Sequence, residues 1–320
     1  MQREVTPVRA SCDASRAVLQ KMARSWYGRA QVRRVQDSDE LSFDLARPDF
    51  AVDLLPFKDH PRFQQLDERD LQRVLSSAWL AYNSKTLDIE SGIVSPFCQD
   101  VLAGRVPGLR DEVSQQTVSE TLVDESFHVL LTVNATNLTR RMRELPILLP
   151  PSLLLRLTER CLAEFAEEWQ RTLARLAVAV VSEVFISDYL LLLSNSDVLQ
   201  PLHRVAVEAH RRDEAAHGVV FRHLAKVVFE ALSPREQEFF AAMLPKPVRW
   251  FAAQDRDIWM AIFRQLEIPN THELVNDCVV RHDREISAID YSGVVELARE
   301  LGVTEMSVGM DAFQTEGLVA

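Results

Sequence analysis

Two segments of the chain repeat one pattern of acidic residues and histidine. Residues 124–128 read DESFH, and residues 213–217 read DEAAH. Side chains three residues apart lie on one face of an α-helix, so the Glu and His of each segment can bind the same metal ion. Composition predicts only about 0.04 chance occurrences of Asp-Glu-x-x-His, so two occurrences favour half of a carboxylate-bridged dinuclear metal site. The four predicted ligands of this half are Glu125, His128, Glu214 and His217.

The Asp that begins each segment has a predicted supporting role. A metal-bound His usually donates its second ring N–H to a carboxylate, which fixes the tautomer of the ring. We expect Asp124 to do this for His217 and Asp213 to do it for His128, across the helix pair. The alternative is that both Asp side chains are solvated charges on the helix surface.

A bundle site of this kind needs one further Glu from each of two other helices. Residues 173–193 are mostly apolar, and Glu183 lies in the middle of them. A buried carboxylate is costly unless it is paired or bound to a cation, so Glu183 is a candidate ligand, with a hydrogen-bonded buried acid as the alternative. Upstream, Asp88 and Glu90 are both candidates, and their spacing favours Glu90 only slightly.

A third histidine belongs to the same set of residues. His203, His210, Glu214 and His217 are separated by seven, four and three residues, which places them on one helical face. His210 therefore points toward the ion that Glu214 and His217 bind. Four carboxylates would neutralise two divalent ions. His203 lies two turns further out, where a structural or channel histidine is a better interpretation than a ligand.

Long helical segments must position these residues. Apolar residues at helical spacing predict helices over residues 67–103, 111–143, 153–193 and 201–232, the first weakened near its end by Gly92 and Pro96. Successive helices of about 30 residues joined by short loops are typical of a four-helix bundle. We therefore predict an all-α protein in which this bundle is the metal-binding core.

Shorter segments flank the predicted bundle. Residues 13–26 predict a short helix, and the proline-rich residues 37–61 predict an extended or irregular segment that wraps the rest. Residues 233–236 (SPRE) have the pattern of a capping box that begins a fifth helix, and the last 50 residues predict one or two further helices and a ragged tail. We expect a single domain over 1–320 with three parts: a wrapping segment (1–66), the metal-binding core (67–232) and C-terminal helices (233–320).

Composition excludes several classes of function. The formal net charge of −11, from 36 basic and 47 acidic residues, argues against a surface for nucleic acid or anionic membranes. No stretch of about 18 apolar residues predicts a membrane span, and the N-terminus lacks the features of a secretory signal. The four cysteines are far apart, which indicates thiols in a reducing cytoplasm. We expect a cytoplasmic protein whose partners include neither nucleic acid nor membrane.

These residues together resemble the p-aminobenzoate N-oxygenase family, ferritin-like di-iron oxygenases with a third histidine seven residues before the last one. The resemblance covers residues 67–230, and it selects Glu90 over Asp88. It implies a ferritin-like bundle that binds two iron ions, with manganese as an alternative because the same ligand types suit it. The resemblance implies the following seven ligands: Glu90, Glu125, His128, Glu183, His210, Glu214 and His217.

The resemblance also implies an enzyme. This would be a monooxygenase of secondary metabolism that activates O2 at a carboxylate- and histidine-bridged iron pair and oxidises an amine nitrogen to hydroxylamine, nitroso or nitro. The sequence has no dinucleotide fingerprint and no cysteine cluster, so a separate electron donor or reductase is needed. We expect a homodimer. The alternatives are a di-iron C–H hydroxylase or desaturase and a non-enzymatic, ferritin-like iron-binding bundle.

Substrate recognition is less determined by the sequence. Tyr82 is eight residues before Glu90 and shares its helical face, so it is our candidate for the substrate pocket, with a core aromatic as the alternative. Lys85 could anchor a substrate carboxylate, but five residues before Glu90 it points away from the ligand face. Aryl, alkyl and amino-acid-derived amines are all compatible with the sequence.

Overall fold

The computed structural model describes residues 7–34, 43–285 and 290–319, and over these residues the protein is helical with no β-strand. This confirms the all-α prediction. No described helix combines the length and the apolar character that crossing a bilayer requires. In chain order the α-helices are α1 (Pro7–Arg29), α2 (Pro61–Gln64), α3 (Glu68–Ile89), α4 (Ser95–Leu102), α5 (Glu112–Met142), α6 (Leu153–Ala163), α7 (Glu168–Ser194), α8 (Pro201–Ala231), α9 (Pro234–Met243), α10 (Lys246–Ala252), α11 (Arg256–Gln265), α12 (Thr271–Glu285), α13 (Ser292–Glu300) and α14 (Ser307–Thr315).

Four long helices form the bundle that the helical periods predict. α3 packs against α5, α5 against α8, and α8 against α7. The side chains of Asp67 and Asp111 accept backbone N–H groups in the first turns of α3 and α5, and Pro201 begins α8. Residues 176–181 of the apolar α7 are buried, as expected of an interior helix. The core is therefore a ferritin-like four-helix bundle.

The end of α3 contains a local departure from α-helical geometry. Glu90–Val94 form a π-helical turn that joins α3 to α4 without a break, and the Ser95 N–H donates to the Glu90 carbonyl five residues back. Pro96 has no N–H to donate to the carbonyl of Gly92, so the helical ladder is already incomplete here. The weak point predicted from Gly92 and Pro96 is thus a wider turn that begins at Glu90, and such turns are frequent at functional sites.

The prediction of a single helix over residues 153–193 is wrong. The structure has two helices, α6 and α7, separated by residues 164–167. At the break, the Arg171 guanidinium donates to the carbonyls of Phe165 and Ala166, at 2.7 and 2.9 Å. The Phe165 ring packs edge-on against Phe239, with the centroids 5.0 Å apart. These tertiary contacts replace the hydrogen bonds that a continuous helix would make.

The N-terminal helix is longer than predicted. It extends over Pro7–Arg29 instead of residues 13–26, and a proline is well suited to a first helical turn. α1 packs against both α5 and α8. From the irregular segment that follows, the buried Asp49 accepts hydrogen bonds from Ser76 Oγ at 2.6 Å and Arg143 Nε at 2.7 Å. The first part of that predicted segment, residues 37–42, lies outside the described residues.

The C-terminal region contains more helices than predicted. The capping box of Ser233 and Glu236 is confirmed at the start of α9. The last 50 residues contain three helices in their described part, α12 to α14, instead of one or two. Asp290 Oδ1 accepts the Ser292 N–H as α13 begins, and Gly302, with a φ of 72°, lets the chain turn and start again after it. The predicted division into three parts of one domain stays a prediction.

Candidate metal centre

Seven buried side chains meet in the interior of the bundle. The atoms that could bind a metal form two overlapping groups of four residues, and within each group they lie within 4.8 Å of one another. The first group is Glu90, His128, His210 and Glu214. The second group is Glu125, His128, Glu214 and His217. Glu183 adjoins the second group, with Oε2 3.7 Å from His217 Nδ1. Six of these residues are fully buried, and His210 is 5% exposed.

Two carboxylates occupy the middle of the cluster. Glu214 Oε1 lies 3.2 Å from one ring nitrogen of each of the three histidines, His128, His210 and His217. Glu125 lies between two of these rings, 3.3 Å from His128 Nδ1 and 3.0 Å from His217 Nδ1. Both carboxylates are therefore within reach of both groups, which is what a carboxylate-bridged pair of ions requires.

The other two carboxylates lie at the two sides of this middle pair. Glu90 Oε1 is 3.1 Å from His210 Nε2, so the third histidine belongs to the side of the cluster that Glu90 closes. Glu183 approaches the ring of His217 on the other side. The π turn supplies the first of these acids, and the apolar α7 supplies the second. Each of the four bundle helices or its extension thus contributes at least one carboxylate.

The donor set fits divalent metal ions. Although ring nitrogens lie close to some of them, six buried carboxylate oxygens in the cluster have no partner in hydrogen-bond geometry among the described residues: both oxygens of Glu90 and of Glu183, Oε1 of Glu125 and Oε2 of Glu214. Buried carboxylate oxygens without partners are costly, and a bound cation removes that cost. Carboxylate and imidazole ligands together suit iron and manganese. The cluster is therefore a candidate metal site.

The outward-facing ring nitrogens of two histidines contact aspartates. His217 Nε2 lies 3.2 Å from Asp124 Oδ2, and His128 Nε2 lies 3.3 Å from Asp213 Oδ2. Both pairs join α5 to α8, and all four side chains are fully buried. A neutral ring that donates its Nε2–H to the aspartate directs the Nδ1 lone pair into the cluster.

Residues of α1 and the turn after it hold these aspartates from outside. Trp26 Nε1 donates to both Asp124 oxygens, at 2.9 and 3.0 Å, and the Gln31 N–H donates to Asp213 at 3.2 Å. The Arg29 guanidinium lies between them, 3.6 Å from Asp124 and 4.0 Å from Asp213. Sequence reasoning missed these contacts, because no local pattern joins positions so far apart in the chain.

Comparison with known proteins assigns the family. Residues 13–302 match the family model described as p-aminobenzoate N-oxygenase AurF. The chain belongs to the p-aminobenzoate N-oxygenase family. It is also similar to the 4-aminobenzoate N-oxygenase of Streptomyces thioluteus, with 29% identity over 293 residues, which cover 90% of this chain and 87% of the relative. The resemblance predicted from the motifs is confirmed, and with it the class of enzyme, an amine N-oxygenase.

Asp88 and His203 lie near the cluster of seven residues but are not part of it. Asp88, the alternative to Glu90, accepts the Ser152 N–H at 2.6 Å at the start of α6. His203 stacks on Trp79 at 4.1 Å, and its Nε2 lies 3.1 Å from Thr139 Oγ1. Burial lowers the pKa of His203 to about 3, so it is neutral and its contacts are structural.

A cavity of about 480 Å³ lies against α3 and α7, the helices that lead to Glu90 and carry Glu183. Its wall on the side of the ligand helices includes Tyr82, Thr86 and Ile89 of α3 and Ile186 of α7. Tyr82, the predicted pocket residue, also lines a second, very small cavity that His210 reaches. Aromatic side chains also line the large cavity: Phe50, Phe185, Trp250, Phe251 and Trp259. An apolar, aromatic-lined cavity next to a reactive centre is the usual form of a small-molecule site.

Without a metal ion, protons must neutralise the cluster. Burial, together with the neighbouring carboxylates, raises the pKa of Glu90 and of Glu183 well above its usual value. Burial opposes ionisation of Glu125, but the charge on His217 outweighs it and lowers the pKa of Glu125 to about 2. Burial likewise opposes protonation of His128 and His217, but the surrounding carboxylates raise the pKa of both rings. Metal ions therefore compete with protons for this site.

The metal-free protein should lose stability as the pH rises from 6.5 to 8. The unfolded chain releases histidine protons at about pH 6.5, while folded His128 and His217 retain theirs. The folded state then binds more protons, so its stability falls with rising pH. The lowered pKa of Glu125 acts only at acidic pH, outside this range. Urea unfolding of the metal-free and metal-loaded protein at several pH values checks this. The dependence of the free energy of unfolding on pH should largely disappear after metal loading. A metal-free protein whose stability rises with pH would contradict the prediction.

Replacing Arg29 by Met should lower both the stability of the protein and its affinity for metal ions. Asp124 and Asp213 would then lack the cation between them, so we expect a loss of roughly 1–3 kcal/mol in the free energy of unfolding and about 10-fold weaker metal binding. Urea unfolding and a metal titration measure the two effects. Arg24→Met, an exposed position on the same helix, is the matched control. Equal behaviour of the two variants would show that Arg29 does not support the centre.

Proposed function

We propose that this protein is a di-iron N-oxygenase that uses O2 to oxidise the nitrogen of an aromatic amine. The observation that carries the proposal is the buried cluster of four carboxylates and three histidines beside an aromatic-lined cavity. Membership of the p-aminobenzoate N-oxygenase family supports the reaction class.

The seven clustered residues are the proposed ligands of two iron ions. Glu125 and Glu214 would contact both ions, while Glu90 with His210 and Glu183 with His217 would hold one ion each. We propose iron, with manganese as the alternative that the same ligand types allow, because N-oxygenation requires a redox pair that can pass two electrons to O2. The metals, when bound, supply this electron transfer, and the protein supplies their binding and their surroundings.

Groups of this chain keep the ligands in position during the reaction. Asp124 and Asp213 fix the rings of His217 and His128, so each ring keeps a lone pair directed at the cluster. The cavity walls place the amine nitrogen toward the centre, with Tyr82 lining both this cavity and the small one that His210 reaches. Each oxygenation places one atom of O2 on nitrogen and reduces the other to water, so successive rounds give hydroxylamine, nitroso and nitro products.

The cavity favours an aromatic amine as substrate. Phe185 and Phe251 stack with their centroids 5.4 Å apart and an interplanar angle of 20°, and both line the cavity. Such walls favour a flat ring over an alkyl chain. The relative from Streptomyces thioluteus is named for 4-aminobenzoate, which fits easily in about 480 Å³. We therefore propose arylamines over alkyl and amino-acid-derived amines.

Two electrons per oxygenation must come from another molecule. The four cysteines are far apart in the sequence and do not have the spacing of an iron–sulfur motif. We propose a separate reductase or small-molecule electron donor. The homodimer, the cytoplasmic location, the role in secondary metabolism and the single-domain organisation stay predictions.

Iron loading and one ligand substitution test the proposal. The purified protein should bind about two iron ions per chain and, when reduced and exposed to O2, convert 4-aminobenzoate to hydroxylamine, nitroso or nitro products detected by mass spectrometry. Glu183→Gln should retain its helical circular dichroism but bind less iron and lose at least about 100-fold in turnover. Glu167→Gln, an exposed acid just before the same helix, is the matched control and should behave as the native protein.

Two outcomes would contradict the proposal. Iron-loaded protein that consumes O2 without oxidising any arylamine would favour an iron-binding or ferroxidase role. Oxidation at carbon instead of nitrogen would favour a hydroxylase or desaturase.

A further inference from the structure

The very small cavity that His210 reaches lies directly against the cluster of seven residues. It has a volume of about 10 Å³ and is lined by residues of α3, α5 and α8. His210 is also the one residue of the cluster that is not fully buried, at 5% exposure. The described residues that line the large cavity include none of the seven. The small cavity therefore gives the more direct access to a proposed metal ligand.

The sizes of the two cavities decide which molecules each can hold. A volume of about 10 Å³ is close to what one water-sized molecule needs. O2 is a diatomic molecule only slightly larger than water. An arylamine contains a six-membered ring and fits only the cavity of about 480 Å³. The two substrates of the proposed reaction can thus be separated by size.

The lining of the small cavity favours an uncharged, apolar molecule. No acid, lysine or arginine is among the described residues that line it. Five of the nine lining residues are apolar: Trp79, Leu131, Ala135, Ala206 and Val207. The other four are Tyr82, Asn83, Thr132 and His210. Water needs two to four polar partners to be held in a cavity, whereas an apolar guest needs none. O2 meets this condition.

The small cavity is also close to the surface of the bundle. Two of its lining residues, Leu131 of α5 and Ala206 of α8, are half-buried. The side chain of alanine is a single methyl group, so only a thin layer of atoms lies between the cavity and solvent at Ala206. Side chains near a protein surface change rotamer rapidly. A small molecule can therefore pass this layer while the bundle remains folded.

We propose that the small cavity is the entry site for O2, with Leu131 and Ala206 at its entrance, and that the amine uses the large cavity. This inference rests on the proposed N-oxygenase function, in which O2 is a substrate. O2 would reach the side of the cluster where His210 lies 3.1 Å from Glu90. Tyr82 is the one described residue that lines both cavities, so it is part of the wall between them. A bound amine would then leave the path of O2 open.

Dissolved O2 is itself a probe of this site, because it is paramagnetic and accelerates the relaxation of nearby protons. Methyl NMR spectra of zinc-loaded protein, which cannot reduce O2, are recorded with and without O2 pressure. The methyl groups of Ala135 and Val207, which are buried and line the small cavity, should relax faster under O2. The methyl groups of Leu176 and Val180, which are buried in α7 and line neither cavity, should change much less.

Three variants on α8 test the entrance. Ala206→Leu narrows it, Ala206→Ser retains its size, and Val205→Leu adds a similar group at the exposed neighbouring position. Ala206→Leu should reduce the effect of O2 on Ala135 and Val207 and lower kcat/KM for O2 about 10-fold, which corresponds to a barrier higher by about 1.4 kcal/mol. Its affinity for 4-aminobenzoate, measured by calorimetry on zinc-loaded protein, should not change. Ala206→Ser and Val205→Leu should behave as the native protein.

Widening the entrance should have the opposite effect. Leu131→Ala should increase the effect of O2 on Ala135 and Val207 and should not lower kcat/KM for O2. Circular dichroism checks that each variant is folded. The NMR comparison on the native protein needs no variant, so it tests the site even if a substitution prevents folding.

The outcomes separate this inference from the proposed function. If O2 affects the methyl groups of Ile89 and Ile186 in the large cavity but not those of Ala135 and Val207, O2 shares the amine cavity and the inference is overturned. If Ala206→Leu changes neither relaxation nor kcat/KM for O2, the entrance is overturned while N-oxygenation stands. If O2 occupies the small cavity but no arylamine is oxidised, the proposed function itself fails.

Discussion

Four carboxylates share a volume that water does not reach, and their mutual repulsion is the constraint on which the structure depends. Glu90, Glu125, Glu183 and Glu214 cannot all be ionised there unless positive charge is present. Protons can supply that charge in the metal-free protein, and two divalent ions supply it more completely. The bundle interior offers little else, because six of the eight carboxylate oxygens have no hydrogen-bond partner among the described residues. Folding and metal binding are consequently coupled.

The same charge problem explains why a helix outside the four-helix core belongs to the centre. Asp124 and Asp213 orient two of the histidines, but they add two more buried acids. Trp26, Arg29 and the backbone of Gln31 in the N-terminal region contact those acids from the outer side and supply donors and positive charge. A bundle without α1 would leave both aspartates short of donors and positive charge. We infer that the N-terminal helix is part of the metal centre's electrostatics as well as a cover for α5 and α8.

Sequence spacing predicted the bundle and the clustered residues because both depend on local periodicity. Glu and His three residues apart lie on one helical face whatever surrounds them, so each pair could be recognised in isolation. The choice between Asp88 and Glu90 needed the family resemblance, and the structure shows its cause: Asp88 is used at the start of α6 by the Ser152 N–H. The break between α6 and α7 depends on Arg171 and Phe239, and the contacts of Trp26 and Gln31 join positions 98 and 182 residues apart. Periodicity contains no information about such contacts.

The cavity and the metal centre are formed by different parts of the fold, and this difference matters for the proposed function. The charged residues of the centre share one buried cluster, so a change in the charge of one of them alters the electrostatic energy of the others. The outer cavity wall comes largely from α10 and the loop that leads into α11, elements outside the four-helix core, which meet α3 at Lys85. Substitutions there change the shape and charge offered to a substrate without altering the carboxylate cluster. In the proposed function, the fold therefore separates the cluster that would carry out the oxidation from the cavity wall that would select the amine.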